Sequence, residues 1–272
     1  MTHRQSLIFT LLVLFAILTV SAKKKEYPHA QIKVGYNYHH KFHRGSDGVV
    51  ESDISFILLA NPSLSKFYCP GTEYKDSLFS TPAGRAAEKE MFAAAVKAYS
   101  EGRDRSAMES VTYKTSLYVV KNVMDSAMTV YDRGGLGEYG YYKEPIPCFD
   151  WEIVEEDSQK SILGYECLKA KVDDYHGRSW IVWFTPEIPL HDGPWKFCGL
   201  PGLILEASEP TGQHRFVATG IELSDKEILP IPDNPQKIYE KMDRKRMLTD
   251  YRNSLDNGMA IFKAQTGYNL GV

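Results

Sequence analysis

Between residues 111 and 223 the chain is a succession of short segments rich in Val, Ile, Tyr, Trp and Phe, parted by turn residues and by no helical repeat. The segments cover 115–124, 127–131, 151–155, 165–172, 180–184, 203–207 and 216–223. Parallel strands need crossover connections, usually helical, and no helical repeat lies between these segments. The pattern therefore predicts an antiparallel sheet. Upstream, Ala30, Ile32, Val34, Tyr36, Tyr38 and Phe42 share one parity, and Lys33, Asn37, His39, Lys41 and His43 the other. Such alternation describes a strand with one face on a core and one in water. The turn Gly45-Ser46-Asp47-Gly48 and a second apolar run at 53–59, ended by Asn61-Pro62-Ser63, complete a hairpin.

Two segments read as helix. In 82–101, Thr81 suits the cap, Pro82 the first turn and Gly102 the stop. Phe92, Val96 and Tyr99 form its apolar stripe and are expected on a core face, with Ala86, Ala87, Ala93, Ala94, Ala95 and Ala98 allowing close packing. In 235–262, Asn234 is the expected cap, and Leu248, Tyr251, Leu255, Met259 and Phe262 form the stripe. Its basic run, from Lys237 and Lys241 to Arg244, Lys245 and Arg246, reads as a solvated face. The expected class is α+β: a curved antiparallel sheet packed on one or two helices, in a single domain over 23–272.

The N-terminal 22 residues have the form of a secretory signal peptide, with Arg4 before an apolar stretch and Val20-Ser21-Ala22 at the cleavage position. No Cys follows the apolar stretch, so the leader carries no lipoprotein acylation site. The expected location is the periplasm or cell envelope. In that oxidising setting Cys69, Cys148, Cys167 and Cys198 are disulfide candidates, with three pairings open. A net charge of −3 argues against nucleic acid as a partner.

Chemical motifs are scarce. Gly135-Leu136-Gly137-Glu138-Tyr139-Gly140 matches G-x-G-x-x-G by letter, but Tyr141, Tyr142 and Pro145 follow where a dinucleotide site needs a helix. It reads as a glycine-rich turn, and no cofactor is expected. His39 and His43 would lie about 13 Å apart on a strand, too far to share a metal. With His40, Lys41 and Arg44 they make a wet, pH-sensitive patch, and no metal site is expected. No G-x-S-x-G, H-E-x-x-H or P-loop occurs.

The most specific segment is 180–206, WIVWFTPEIPLHDGPWKFCGLPGLILE. Pro and Gly set its backbone while Trp, Phe and Leu fill volume, so it reads as a rigid apolar corner. Gly199, Pro201 and Gly202 are the expected turn residues. Trp180, Trp183, Trp195, Phe197, Leu200 and Pro201 are the candidates for binding a ligand or partner. Gly199-Leu200-Pro201-Gly202-Leu203-Ile204 resembles the name-giving signature of the GLPGLI family. Supporting context comes from Gly164-Tyr165-x-Cys167, Trp183-Phe184-Thr185-Pro186-Glu187-Ile188-Pro189 and Gly193-Pro194-Trp195-Lys196-Phe197. That resemblance implies an exported protein of Bacteroidetes-type bacteria with no established activity, often encoded near outer-membrane transport genes. The predicted architecture also resembles the periplasmic lipoprotein carriers, whose sheet can hold an acyl chain.

The leading expectation is thus a non-catalytic envelope protein binding an apolar, lipid-like ligand or an outer-membrane transport partner. The alternatives are a purely structural envelope component, or a hydrolase using Glu187, His191 and Asp192 beside the signature.

Overall fold

The computed structural model describes residues 25–43, 48–101, 106, 111–135 and 138–257. The signal-like leader, the Gly45–Asp47 turn, Gly102, Leu136, Gly137, Met259 and Phe262 lie outside the described residues.

Twelve strands form one sheet among the described residues. The chain runs through β1 (Ile32–His43), β2 (Val49–Ala60), β3 (Leu64–Tyr68), α1 (Pro70–Phe79) and α2 (Pro82–Ser100). It continues with β4 (Tyr118–Asn122), β5 (Ala127–Arg133), β6 (Tyr139–Pro145), β7 (Glu152–Ile162) and β8 (Tyr165–Val172). Then come β9 (Trp180–Thr185), β10 (Leu203–Ser208), β11 (His214–Leu223), β12 (Tyr239–Lys241) and α3 (Arg244–Asp256). The spatial order is β12-β6-β5-β4-β3-β2-β1-β11-β10-β9-β8-β7. Two antiparallel meanders, β2 to β6 and β7 to β11, are therefore sewn together by β1. Among the described residues only β12 pairs in parallel, against β6. Register breaks at Gly35/Tyr36, Ile204/Glu206 and Val154/Gln159 are bulges, which bend strands and deepen their twist.

Strand alternation sorts the side chains onto two faces. Val34, Tyr36, Phe56, Leu58, Phe67, Val119, Val130, Phe184, Leu205 and Phe216 build the main core. Leu190, Phe197 and Leu200 from the corner, and Met247 from α3, close over it. The reverse face carries a row of tyrosines, Tyr68, Tyr118, Tyr131 and Tyr141, aligned across four strands. Ala30, Leu59, Tyr68, Tyr118 and Ile228 make a smaller core there.

Asp76 of α1 anchors the reverse face. It is fully buried and accepts hydrogen bonds from Tyr113 Oη (3.0 Å), Tyr118 Oη (2.7 Å), Asn234 Nδ2 (2.8 Å) and Lys237 Nζ (2.9 Å). One carboxylate so ties together a helix, a strand and the segment returning toward β12.

Several expectations need correction. The final helix starts at Arg244, capped by the Asp243 carboxylate on the amides of Lys245 and Arg246. Residues 235–243 instead form a turn and the edge strand β12, and Lys237 is buried against Asp76 rather than solvated. The α2 helix is where expected, with Thr81 accepting from the Gly84 amide. Its Phe92, Val96 and Tyr99 stripe is exposed, however, because α2 packs chiefly on α1 rather than on the sheet. Strands β3, β6 and β12 and helix α1 lie outside the elements that the sequence pattern predicts. In β3 the inward Ser65 and the buried Lys66 blur the apolar alternation. The glycine-rich turn joins β5 to a strand, β6, that ends on Pro145.

No disulfide forms: Cys69, Cys148, Cys167 and Cys198 are all free thiols. Cys69 follows β3 and Cys167 lies on β8, six strand positions apart in the sheet. Cys198 lies near Cys148, with its Sγ 3.8 Å from the Pro147 carbonyl.

Candidate ligand-binding site

The corner that links β9 to β10 is held by its own backbone and by two lysines. Within it the Gly199 amide donates to His191 O (3.2 Å), Leu203 to Ile188 O (3.1 Å) and Ile204 to Asp192 O (2.9 Å). Lys121 reaches up from β4, pairs with Asp192 and donates to Gly193 O (3.1 Å) and Phe197 O (2.9 Å). Lys196 reaches down from the corner to Glu144 (2.5 Å) and Tyr142 Oη (2.9 Å) on β6. Both lysines are 2% exposed, so each carboxylate offsets a desolvation cost of several kcal/mol. Trp151 braces the corner as well, its indole N–H donating to Cys198 O (2.9 Å).

Pinned this way, the corner displays rings. Phe149, Trp151, Tyr175 and Trp195 are partly exposed and lie over the buried Trp180 and Phe197. Ring centroids are 4.9 Å apart for Phe149–Trp151, 4.6 Å for Phe149–Tyr175, 5.9 Å for Tyr175–Trp195 and 6.0 Å for Trp180–Trp195. All fall within the range of favourable ring contacts. Trp195 has φ 52° and His176 φ 56°, left-handed conformations that a bulky side chain adopts only when its surroundings impose them. The buried indole N–H of Trp180 has no acceptor.

The edge of this platform is polar. His176 is exposed beside the Tyr175 ring (4.2 Å), and Arg244 lies 3.8 Å from Glu144. Partial burial, with help from the nearby Arg244 and Lys196 cations, holds the His176 imidazole below its usual pKa. His214 is held low by burial and by Arg178, and sits 2.7 Å from Tyr38 Oη behind Trp180. Such walls suit an apolar or planar ligand group, with a hydrogen-bond acceptor toward Trp180.

The structure divides the expected binding residues. Trp180, Phe197 and Leu200 are core, Trp195 is on the platform, and Pro201 is exposed at the turn. Trp183 points to the other face, where the Lys160 and Lys169 ammonium groups lie 5.4 Å and 5.9 Å from its ring. Gly199 has φ 89°, whereas Gly202 is required by crowding rather than by φ: a Cβ there would lie 2.1 Å from Thr185 O. The three hydrolase candidates are not brought together. Asp192 is occupied by Lys121, His191 is exposed, and Glu187 accepts the Glu166 amide (2.9 Å) on the surface. No group of three or more His, Cys, Asp or Glu converges on a metal position among the described residues. Phe149, Trp151 and Tyr175 were missed as site residues. Their signal was faint: a Phe-x-Trp pair entering β7 and a tyrosine in the β8–β9 loop.

A family model described as a protein of unknown function (Porph_ging) matches residues 176–206, the span from His176 through the whole corner. No curated protein matches the chain. Among solved structures, PNGF-II in a P21 crystal has 14% identity and a TM-score of 0.49, over 81% of this chain and 33% of its own. The chain thus spans about a third of PNGF-II. An uncharacterized conserved protein from Thermus thermophilus has 5% identity and a TM-score of 0.36, covering 78% of this chain and 91% of its own. A Vibrio parahaemolyticus domain named for outer-membrane lipoprotein sorting has 6% identity and a TM-score of 0.22, covering 75% and 89%. Overlaps this loose carry no function across.

Proposed function

We propose that this is a non-catalytic protein of the cell envelope that binds a ligand through an apolar chain or ring on the Phe149, Trp151, Tyr175 and Trp195 platform. The observation that carries the reading is the platform itself. Four large aromatic side chains stay partly exposed side by side on a corner that two buried ion pairs hold rigid. Contiguous, partly exposed aromatics suit a binding surface, because they bury further apolar area at small entropic cost. Trp180, with its unpaired N–H, adds a reason for an acceptor on the ligand: a buried donor without a partner costs about 1–3 kcal/mol. The signal-like leader at 1–22 and the GLPGLI-like string at Gly199–Ile204, which lies inside the matched segment, support an exported, envelope-located protein.

Native mass spectrometry of the protein purified from its own envelope fraction tests this, beside a Phe149→Ala/Trp195→Ala variant. These two side chains take no hydrogen bond from the corner. The expected result is a small-molecule adduct on the wild type that the folded variant loses. A wild type that carries no adduct, or a folded variant that keeps it, overturns the reading. Loss of an envelope protein partner in place of an adduct would make the platform a docking surface for an outer-membrane component.

A further inference from the structure

Five lysines among the described residues are buried: Lys66, Lys75, Lys121, Lys196 and Lys237. Four of them hold a carboxylate, namely Glu73, Asp192, Glu144 and Asp76. Lys75 does not. It lies on α1, is 7% exposed, and its ammonium makes no hydrogen bond. Its neighbour in sequence, Asp76, is already engaged by four donors and faces Lys237. The Tyr113 ring lies 4.9 Å from Lys75 Nζ, a contact that stabilises a cation without neutralising it.

Lys75 lines a cavity of about 240 Å³ between α1, α2 and the 111–114 segment. Leu78, Met91, Val111, Tyr74 and Tyr113 form its walls. Glu88 and Lys114 also line it; Glu88 is close enough to act on Lys75 through space but makes no hydrogen bond to its ammonium. We propose that this cavity is a binding site for a small apolar monocarboxylate, whose carboxylate pairs with the Lys75 ammonium while its chain or ring lies against Leu78, Met91 and Val111. The charge follows from the unpaired cation, since burying a lone ammonium costs several kcal/mol that an entering anion would offset. The apolar body follows from the walls. The size follows from the volume: at roughly 30 Å³ per water-sized group, the cavity takes about eight non-hydrogen atoms. Burial holds the Lys75 pKa below the usual lysine range, only partly countered by the Glu88 carboxylate on the cavity wall, which makes no hydrogen bond to it. The site lies on the α1 side of the sheet, across from the aromatic platform, and is independent of it.

Hexanoate and benzoate are the probes, with hexanol as the uncharged control, measured by calorimetry on the mature chain. Hexanoate is expected to bind at ~0.1–1 mM, the range open to a ligand of this size. Lys75→Met, which keeps length and apolar stem, is expected to weaken hexanoate at least tenfold while leaving hexanol unchanged. Leu78→Trp, which fills the cavity from another wall, is expected to abolish binding with Lys75 intact and serves if Lys75→Met does not fold. The proposal is overturned if neither acid binds the wild type, if hexanol binds as tightly as hexanoate, or if a folded variant binds hexanoate like the wild type. Retained hexanoate binding in Phe149→Ala/Trp195→Ala is expected; its loss would assign the acid to the platform instead.

Discussion

Gly199 and Gly202 lie three residues apart and answer to different physics. Gly199 sits at φ 89°, where an L-residue is strained but meets little: the nearest atom to an added Cβ is Trp151 Nε1 at 3.8 Å. Gly202 has no such dihedral, yet its Cβ would come within 2.1 Å of Thr185 O and 2.7 Å of Thr185 C. Backbone cannot yield there without parting β9 from β10. Urea unfolding should therefore separate the two. Gly199→Ala is expected to lose ~1–2 kcal/mol, the cost of a left-handed residue. Gly202→Ala is expected to lose ~3 kcal/mol or more, or to give no folded protein. Equal losses would show that the corner is governed by turn strain alone. The string Gly-Leu-Pro-Gly marks both positions as special, but a single sequence cannot say which glycine serves dihedral freedom and which serves contact.

At the scale of elements, strands were legible wherever apolar residues alternate and illegible wherever the interior admits charge. β8, β9, β10 and β11 lie where the pattern places them to within two residues. β4 hides its main structural role in Lys121, which reads as a surface residue between Val120 and Asn122 and is in fact the post on which the corner rests. The corner thus behaves as an element with a foundation in another part of the chain. Lys121→Met should leave Asp192 buried and unpaired at a cost of ~3–5 kcal/mol, and adding Asp192→Asn should recover part of that loss. A double-mutant cycle in thermal unfolding measures the coupling; purely additive losses would mean that the pair is not what holds the corner. The α3 helix teaches the same lesson. Pro235 satisfies a helix-start rule, but the pairing of Tyr239–Lys241 with β6 claims the chain first, and Asp243 supplies the real cap.

For the molecule as a whole, the response to pH sums opposing groups. Asp132, half-buried at the end of β5, is pushed up to about 6 by burial, only partly countered by the Arg133 amide and by the Lys237 and Arg133 cations. A carboxyl raised from 3.8 binds its proton more tightly folded than unfolded. Its contribution therefore falls as pH rises from about 4 to about 6, and stays low above. His40, His176 and His214 are held below 6.5, chiefly by burial, so their contribution falls as pH drops below about 6.5. Asp132→Asn removes only the first effect and keeps an oxygen for the Arg133 amide (2.8 Å). It is expected to raise the midpoint of thermal unfolding at pH 7, reflecting a stability gain of order 1 kcal/mol, and to match the wild type near pH 4. A variant less stable at pH 7 would place the ionised carboxylate in a favourable pairing.

Local periodicity determined that this chain is mostly antiparallel sheet, because successive side chains of a strand must face opposite ways and the apolar parity records it. It also singled out the 180–206 corner, because only Pro, Gly and large apolar residues build such a turn. Tertiary structure alone decided the strand order, with β1 seated between the two meanders, and the places of the charges. Tyr36 bonds to Ile204 O, Lys237 meets Asp76 and Lys196 meets Glu144 across separations of 168, 161 and 52 residues. It likewise decided that Trp183 leaves the other tryptophans and that Lys75, among the five buried lysines of the described residues, is the one without a carboxylate partner. Burial and ion pairing join residues by distance in space, and no spacing along the chain records which distant partner will arrive.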